Sequence, residues 1–94
     1  MINEGYRYQF AEGVCLRDAK DALLLALLAA EGIYGTSRVR MDAAYAVDAP
    51  LRVIVVDGAT QVGQDVSGVF TSFLTKEFGP DAFRVRRLNQ EGQS

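Results

Sequence analysis

The chain contains no histidine. That absence removes Ser-His-Asp and Cys-His nucleophilic sites, the usual proton shuttle and the commonest zinc ligand. There is one cysteine, Cys15, so no internal disulfide can form. Apolar runs are short: the longest, over 22–30, falls well below the roughly 20 residues a bilayer span needs. The opening Met1-Ile2-Asn3-Glu4 has no basic stretch followed by an apolar one, so no secretory signal is expected. Positive charge does not dominate, with ten Lys and Arg against twelve Asp and Glu. The net charge is −2 and the isoelectric point about 5.0, which argues against electrostatic binding to nucleic acid or to an anionic membrane. A soluble cytoplasmic protein without metal or cofactor is the expectation.

What is present is a globular composition. Hydrophobic residues make up 49% of the 94 residues, and the mean hydropathy is +0.04. This excludes a disordered chain and predicts a single domain over 1–94. A domain of this size buries about two-thirds of its unfolded-chain surface.

The centre of the pattern is Leu51-Arg52-Val53-Ile54-Val55-Val56-Asp57, a predicted strand over 51–57. Apolar residues at both parities predict an interior strand covered on two sides. Gly58 ends it, and Thr60 suits the N-cap of a helix over 61–78, where Val62, Val66, Val69, Phe70, Phe73, Leu74 and Phe78 form one apolar stripe. Gly63 and Gly68 each weaken that helix by about 1 kcal/mol relative to Ala. Upstream, Tyr6, Tyr8, Phe10, Val14 and Leu16 share one parity and predict a strand over 6–16, with Gly13 as a bulge that turns Glu12 outward. Asp18 reads as the cap of a helix over 19–31 that closes at Gly32. This helix is apolar all round, more than one sheet face can cover. Alternation of Val39, Met41, Ala43, Tyr45 and Val47 with Arg38, Arg40 and Asp42 predicts a strand over 38–48, joined to the next by the short turn Asp48-Ala49-Pro50 as an antiparallel hairpin. A last strand is predicted over 83–88, and 89–94 is a polar tail.

The order β-α-β-β-α-β predicts an α+β fold, a ferredoxin-like βαββαβ two-layer sandwich. Its four-stranded antiparallel sheet would carry two helices on one face, with the first and third strands central. That topology hosts many functions and names none.

Arginine is the compositional oddity, with eight against two lysines. Arg7, Arg38, Arg40, Arg52, Arg84 and Arg86 all have the parity expected to point away from the helices. They form a candidate anion-binding face for RNA, a nucleotide or a carboxylate ligand, using bidentate guanidinium contacts. RNA-binding sheets of this topology stack bases on central-strand aromatics, and the corresponding outward positions here hold none. The plainer alternative is that the arginine stems cover the sheet and pair with acids elsewhere.

The loop from Asp57 to Asp65 spaces Gly58 and Gly63 as a phosphate loop would, but Gln64-Asp65 stand where Lys and Ser or Thr are needed. It reads as a plain strand-to-helix turn. Glu12, Asp42 and Asp57 lack any partner suited to acid-base chemistry. Cys15 reads as a small packed residue, with a reactive thiol ahead of the helix as the alternative. No catalytic residue is expected, and an inter-subunit active site remains an alternative by analogy alone. The apolar surplus on the first helix (Leu24, Leu25, Leu28) and on the outward side of the third strand (Ile54, Val56) predicts an interface. The expected role is therefore a homo-oligomer or a protein assembly partner.

Overall fold

The computed structural model describes residues 2–89. Strand β1 is Gly5–Phe10, helix α1 Leu16–Tyr34, helix α2 Thr36–Asp42, strand β2 Tyr45–Asp48, strand β3 Val53–Asp57, helix α3 Gln61–Phe78 and strand β4 Phe83–Leu88, with a 3-10 turn over Pro80–Ala82. The four strands form one antiparallel sheet in the order β2-β3-β1-β4. The molecule is a slab of 36 × 35 × 20 Å. One broad side is built by the helices and the other is the bare face of the sheet.

Register decides which side chains meet the helices. Tyr8 pairs with Ile54 on β3 and with Val85 on β4, and Tyr6 pairs with Val56 and Arg87. Residues opposite one another in an antiparallel pair point to the same face. Tyr8, Phe10, Ile54 and Val56 accordingly form one cluster with Ala19, Leu23, Ala26 and Ala30 of α1 and Val62, Val66, Phe70 and Leu74 of α3. Tyr8 is fully buried, with its ring 4.7 Å from that of Phe70. Its hydroxyl donates to the Ser67 carbonyl (3.2 Å) and bonds the Thr71 hydroxyl (2.8 Å). A buried phenol thus finds polar partners on the helix above it, and burial raises its pKa.

Ile54 and Val56 are therefore core residues, 0% and 1% exposed, and not the outward pair expected. The expectation used Arg52 as the outward marker. Arg52 lies before β3 with a φ of +57° and belongs to the turn, so its parity says nothing about the strand. Its guanidinium donates to the carbonyls of Ala11 (2.9 Å) and Val14, tying the β2–β3 turn to the β1–α1 loop.

Three other boundaries differ from expectation. The first strand stops at Phe10, not 16. Ala11–Val14 form a turn closed by Val14 N–H donating to the Ala11 carbonyl (3.1 Å), so Gly13 marks a turn instead of a bulge. Helix α1 begins at Leu16, placing Asp18 within its first turn. It runs past Gly32 to Gly35, whose φ of +87° suits a residue without a Cβ. The segment expected as a strand over 38–48 begins as helix α2. Of its alternating residues in the helical part, only Val39 is buried and Met41 is 82% exposed. Seven residues match a two-residue period by chance when a single apolar contact is all the fold requires. An i, i+4 pair, Arg38–Asp42 (3.5 Å), favours the helix and is the only ion pair among the described residues. The part of the expected tail over 90–94 lies outside the described residues.

Thr60 caps α3 through its hydroxyl, which accepts from Gly63 N–H at 3.0 Å. The same hydroxyl donates to the Asp42 carbonyl (3.0 Å), which fixes the end of α2 against the start of α3.

Candidate interaction surfaces

The outer side of α1 is the first surface. The core-facing residues Ala19, Ala22, Leu23, Ala26 and Ala30 fill one side of this helix. At 100° per residue, Leu24 and Leu28 fall opposite that side, with Leu25 beside them. They are 44%, 62% and 57% exposed. Asp21 and Glu31 flank them and line the same shallow apolar hollow. From Asp21 to Tyr34 the helix carries these two acids and no basic residue. Next to it, the groove between α1 and α3 is lined by Leu25 and Phe73 with Asp18, Asp21, Lys76 and Glu77. The helix side of the slab is thus an apolar stripe in a mainly acidic surround. The leucines were legible from the run over 22–30. The acids follow from the same spacing, since 21, 24, 28 and 31 share one side of a helix.

The bare sheet face is the second surface. Register places Arg7, Gln9, Val53, Val55, Ala46, Asp48, Arg84 and Arg86 on it. Of the six arginines expected there, Arg7, Arg84 and Arg86 are present. Arg38 and Arg40 are on α2, where the Arg38 guanidinium lies 5.0 Å from the centre of the Tyr34 ring. Arg52 is the turn clamp described above. The face divides in two. Its β2–β3 half is apolar, with Ala46, Val53 and Val55 continuing into Pro50 and Leu51 of the turn. Val53 is buried although it lies outside the core cluster. The β1–β4 half is basic. Arg7 and Arg86 are direct cross-strand partners, a pairing that like charges disfavour. None of the three arginines has an ion-pair partner among the described residues. The nearby carboxylates serve their own turns: Asp48 accepts from Leu51 N–H (3.2 Å) and Asp57 from Ala59 N–H (3.0 Å). The outward apolar residues of β3 are thus Val53 and Val55, one position off those expected.

The loop at the start of α3 closes on itself. Gly63 N–H is taken by Thr60, and the Gln64 side chain donates to the Gly58 carbonyl (3.1 Å). Asp65 accepts from Gln61 Nε2 (3.0 Å) and from the Tyr34 hydroxyl, linking α3 to the end of α1. These inward engagements suit a structural turn. The Tyr34 and Gln61 hydrogen bonds stabilise the carboxylate and lower the pKa of Asp65, while the bond to Asp65 raises that of Tyr34. A lowered carboxyl pKa contributes stability that is present above the unfolded value, 3.8, and lost as pH falls through the folded value. A raised phenol pKa contributes stability present below 10.0 and lost as pH rises through the folded value. Titration by NMR is expected to find the Asp65 carboxyl below the ordinary aspartate range. Tyr34→Phe should move it upward, and an Asp65 midpoint unchanged in that variant would show that the bond does not form in solution.

No cluster of three or more His, Cys, Asp or Glu residues suited to a metal occurs among the described residues. No helix among them is long and apolar enough to cross a membrane. Cys15 is exposed at the N-terminal edge of α1, not packed as expected. No protein-family model, curated protein or solved structure matches this chain.

Proposed function

We propose that the protein is a non-catalytic assembly module of ferredoxin-like βαββαβ design, working as a homo-oligomer in the cytoplasm. The strand order β2-β3-β1-β4 with a long helix in each crossover supports that topology, α2 being an addition to the first crossover. The observation that carries the functional reading is the outer side of α1, where Leu24, Leu25 and Leu28 stand in water together. Covering a leucine is worth about 1.5–3 kcal/mol, a large fraction of the stability of a small domain. Three neighbouring leucines on a solvent-facing helix therefore favour a protein partner.

Size-exclusion chromatography with light scattering tests this. The wild-type chain is expected at a multiple of 10.3 kDa. Leu24→Glu and Leu28→Glu are each expected to run at 10.3 kDa with unchanged far-ultraviolet circular dichroism. If both variants keep the wild-type mass, the reading fails. Absorbance at 260 and 280 nm should be recorded together. The chain has four tyrosines and no tryptophan, so bound nucleic acid would dominate that spectrum. A high 260 nm signal would favour the second reading, an anionic ligand or RNA on the arginine half of the sheet. That reading is supported by the unpaired Arg7–Arg86 juxtaposition.

A further inference from the structure

The slab presents two uncovered apolar surfaces on opposite sides, and their rims differ in charge. The helix side carries Leu24, Leu25 and Leu28 between Asp21 and Glu31. The sheet side carries Val55, Ala46 and Leu51 beside Arg7, Arg84 and Arg86.

A two-fold pairing of α1 with α1 of a second copy matches this charge pattern poorly. In an antiparallel arrangement that sets Leu24 against Leu28 of the other copy, the same centre sets Asp21 against Glu31 at both ends. Like charges would then flank the contact twice, and Lys20 gives partial relief at most. The sheet side has a matching problem of its own. Its cross-strand arginines have no ion-pair partner among the described residues, since Asp48 and Asp57 on that face accept from Leu51 N–H and Ala59 N–H, and facing a second sheet of the same kind would bring six guanidiniums together. The apolar stripe of α1 has a mainly acidic rim, and the apolar half of the sheet face adjoins three arginines.

We propose that copies of this chain associate head to tail, the outer side of α1 of one copy seating on the bare sheet face of the next. Leu24 and Leu28 would lie over Val55, Ala46 and Leu51, and Asp21 and Glu31 would meet Arg7, Arg84 and Arg86 in charge-assisted hydrogen bonds. The bare sheet face would gain a helical layer over its apolar half. Such a contact is heterologous. It generates a ring where the rotation closes and an open stack where it does not. This inference rests on the assembly reading above and specifies the partner surface for α1.

The test uses two folded variants, each damaged on one side. Leu28→Glu spoils the helix side, and Arg84→Glu with Arg86→Glu spoils the sheet side. Circular dichroism and thermal melting establish that both fold, and Arg84→Gln with Arg86→Gln replaces the charge reversal should it not. Light scattering is expected to find each variant alone at 10.3 kDa. An equimolar mixture is expected to form a stable dimer of twice that mass, because one intact helix side and one intact sheet side remain. Loss of the arginine charges should weaken wild-type association by about tenfold or more. Three results count against the inference. A mixture that stays monomeric overturns it. So does wild-type mass in the arginine variant when Leu28→Glu is monomeric, a result that leaves the assembly reading standing with a two-fold helix contact. A wild-type chain that is monomeric at all concentrations overturns both.

Discussion

Phe70→Ala is expected to lower the unfolding free energy by about 3–5 kcal/mol. Phe70 is fully buried at the centre of the helix–sheet contact, tilted 58° against the Tyr8 ring. Its removal takes away a large apolar side chain and leaves a cavity that β1 and α1 cannot close without moving. In a domain of this size each kcal/mol shifts the melting temperature by about 4–8 °C. A drop of roughly 12–40 °C in a calorimetric or circular-dichroism melt is therefore expected. A drop below about 5 °C would mean that the residue is not packed between sheet and helices as described. Phe73, three residues on, is partly exposed in the groove between α1 and α3. Truncating it should cost distinctly less.

The two glycines of α3 are expected to respond in opposite directions. Helix propensity alone makes either one replaceable by alanine with a gain of about 1 kcal/mol. A Cβ at Gly68 meets nothing within 4 Å, so Gly68→Ala should raise stability by about 0.5–1 kcal/mol. A Cβ at Gly63 would stand 2.1 Å from the Asp57 carbonyl oxygen and 3.3 Å from the Thr60 hydroxyl oxygen. Backbone must move, in the same turn that carries the Thr60 cap. Gly63→Ala should thus destabilise by about 1–3 kcal/mol, in the range of overpacked sites. Urea titration of both variants beside the wild type decides the matter. Equal signs for the two would refute the close approach of α3 to the end of β3.

That contrast shows where reading the chain reaches its limit. The position of α3, the Thr60 cap and the β2–β3 hairpin followed from local chemistry, and the central place of β1 and β3 from the order of the elements. An apolar stripe at 3.6-residue spacing, a capping hydroxyl and a turn between two apolar runs each act over a few residues. Gly63 shared the local features of Gly68, and only the distance to Asp57 separates them. The outward side of β3 was misassigned for a similar reason. A strand with Val or Ile at every position has no polar marker of its own, and the nearest one, Arg52, belongs to a turn. One step of register exchanges Ile54 and Val56 for Val53 and Val55.

The interaction surfaces divide in the same way. The excess of leucine on α1 was evident because no single sheet can cover a helix that is apolar all round. Its acidic rim follows from the same helical spacing as the leucines, whereas the basic half of the sheet became visible only when β1 and β4 took their places. Arg7 and Arg86 are far apart in sequence and adjacent only through the β1–β4 register.

By itself the sequence determined which side chains these 94 residues do not offer, histidine above all, together with the identity of the long helices and the existence of an apolar surplus. Those depend on residue type and on spacing within one turn of helix or one strand. Tertiary structure decided that residues 36–42 form a helix, that Arg52 clamps a turn, and that Val55 and three arginines share a bare face. The physical reason is that burial and charge pairing depend on neighbours distant in the chain, and pairing between strands decides which neighbours those are.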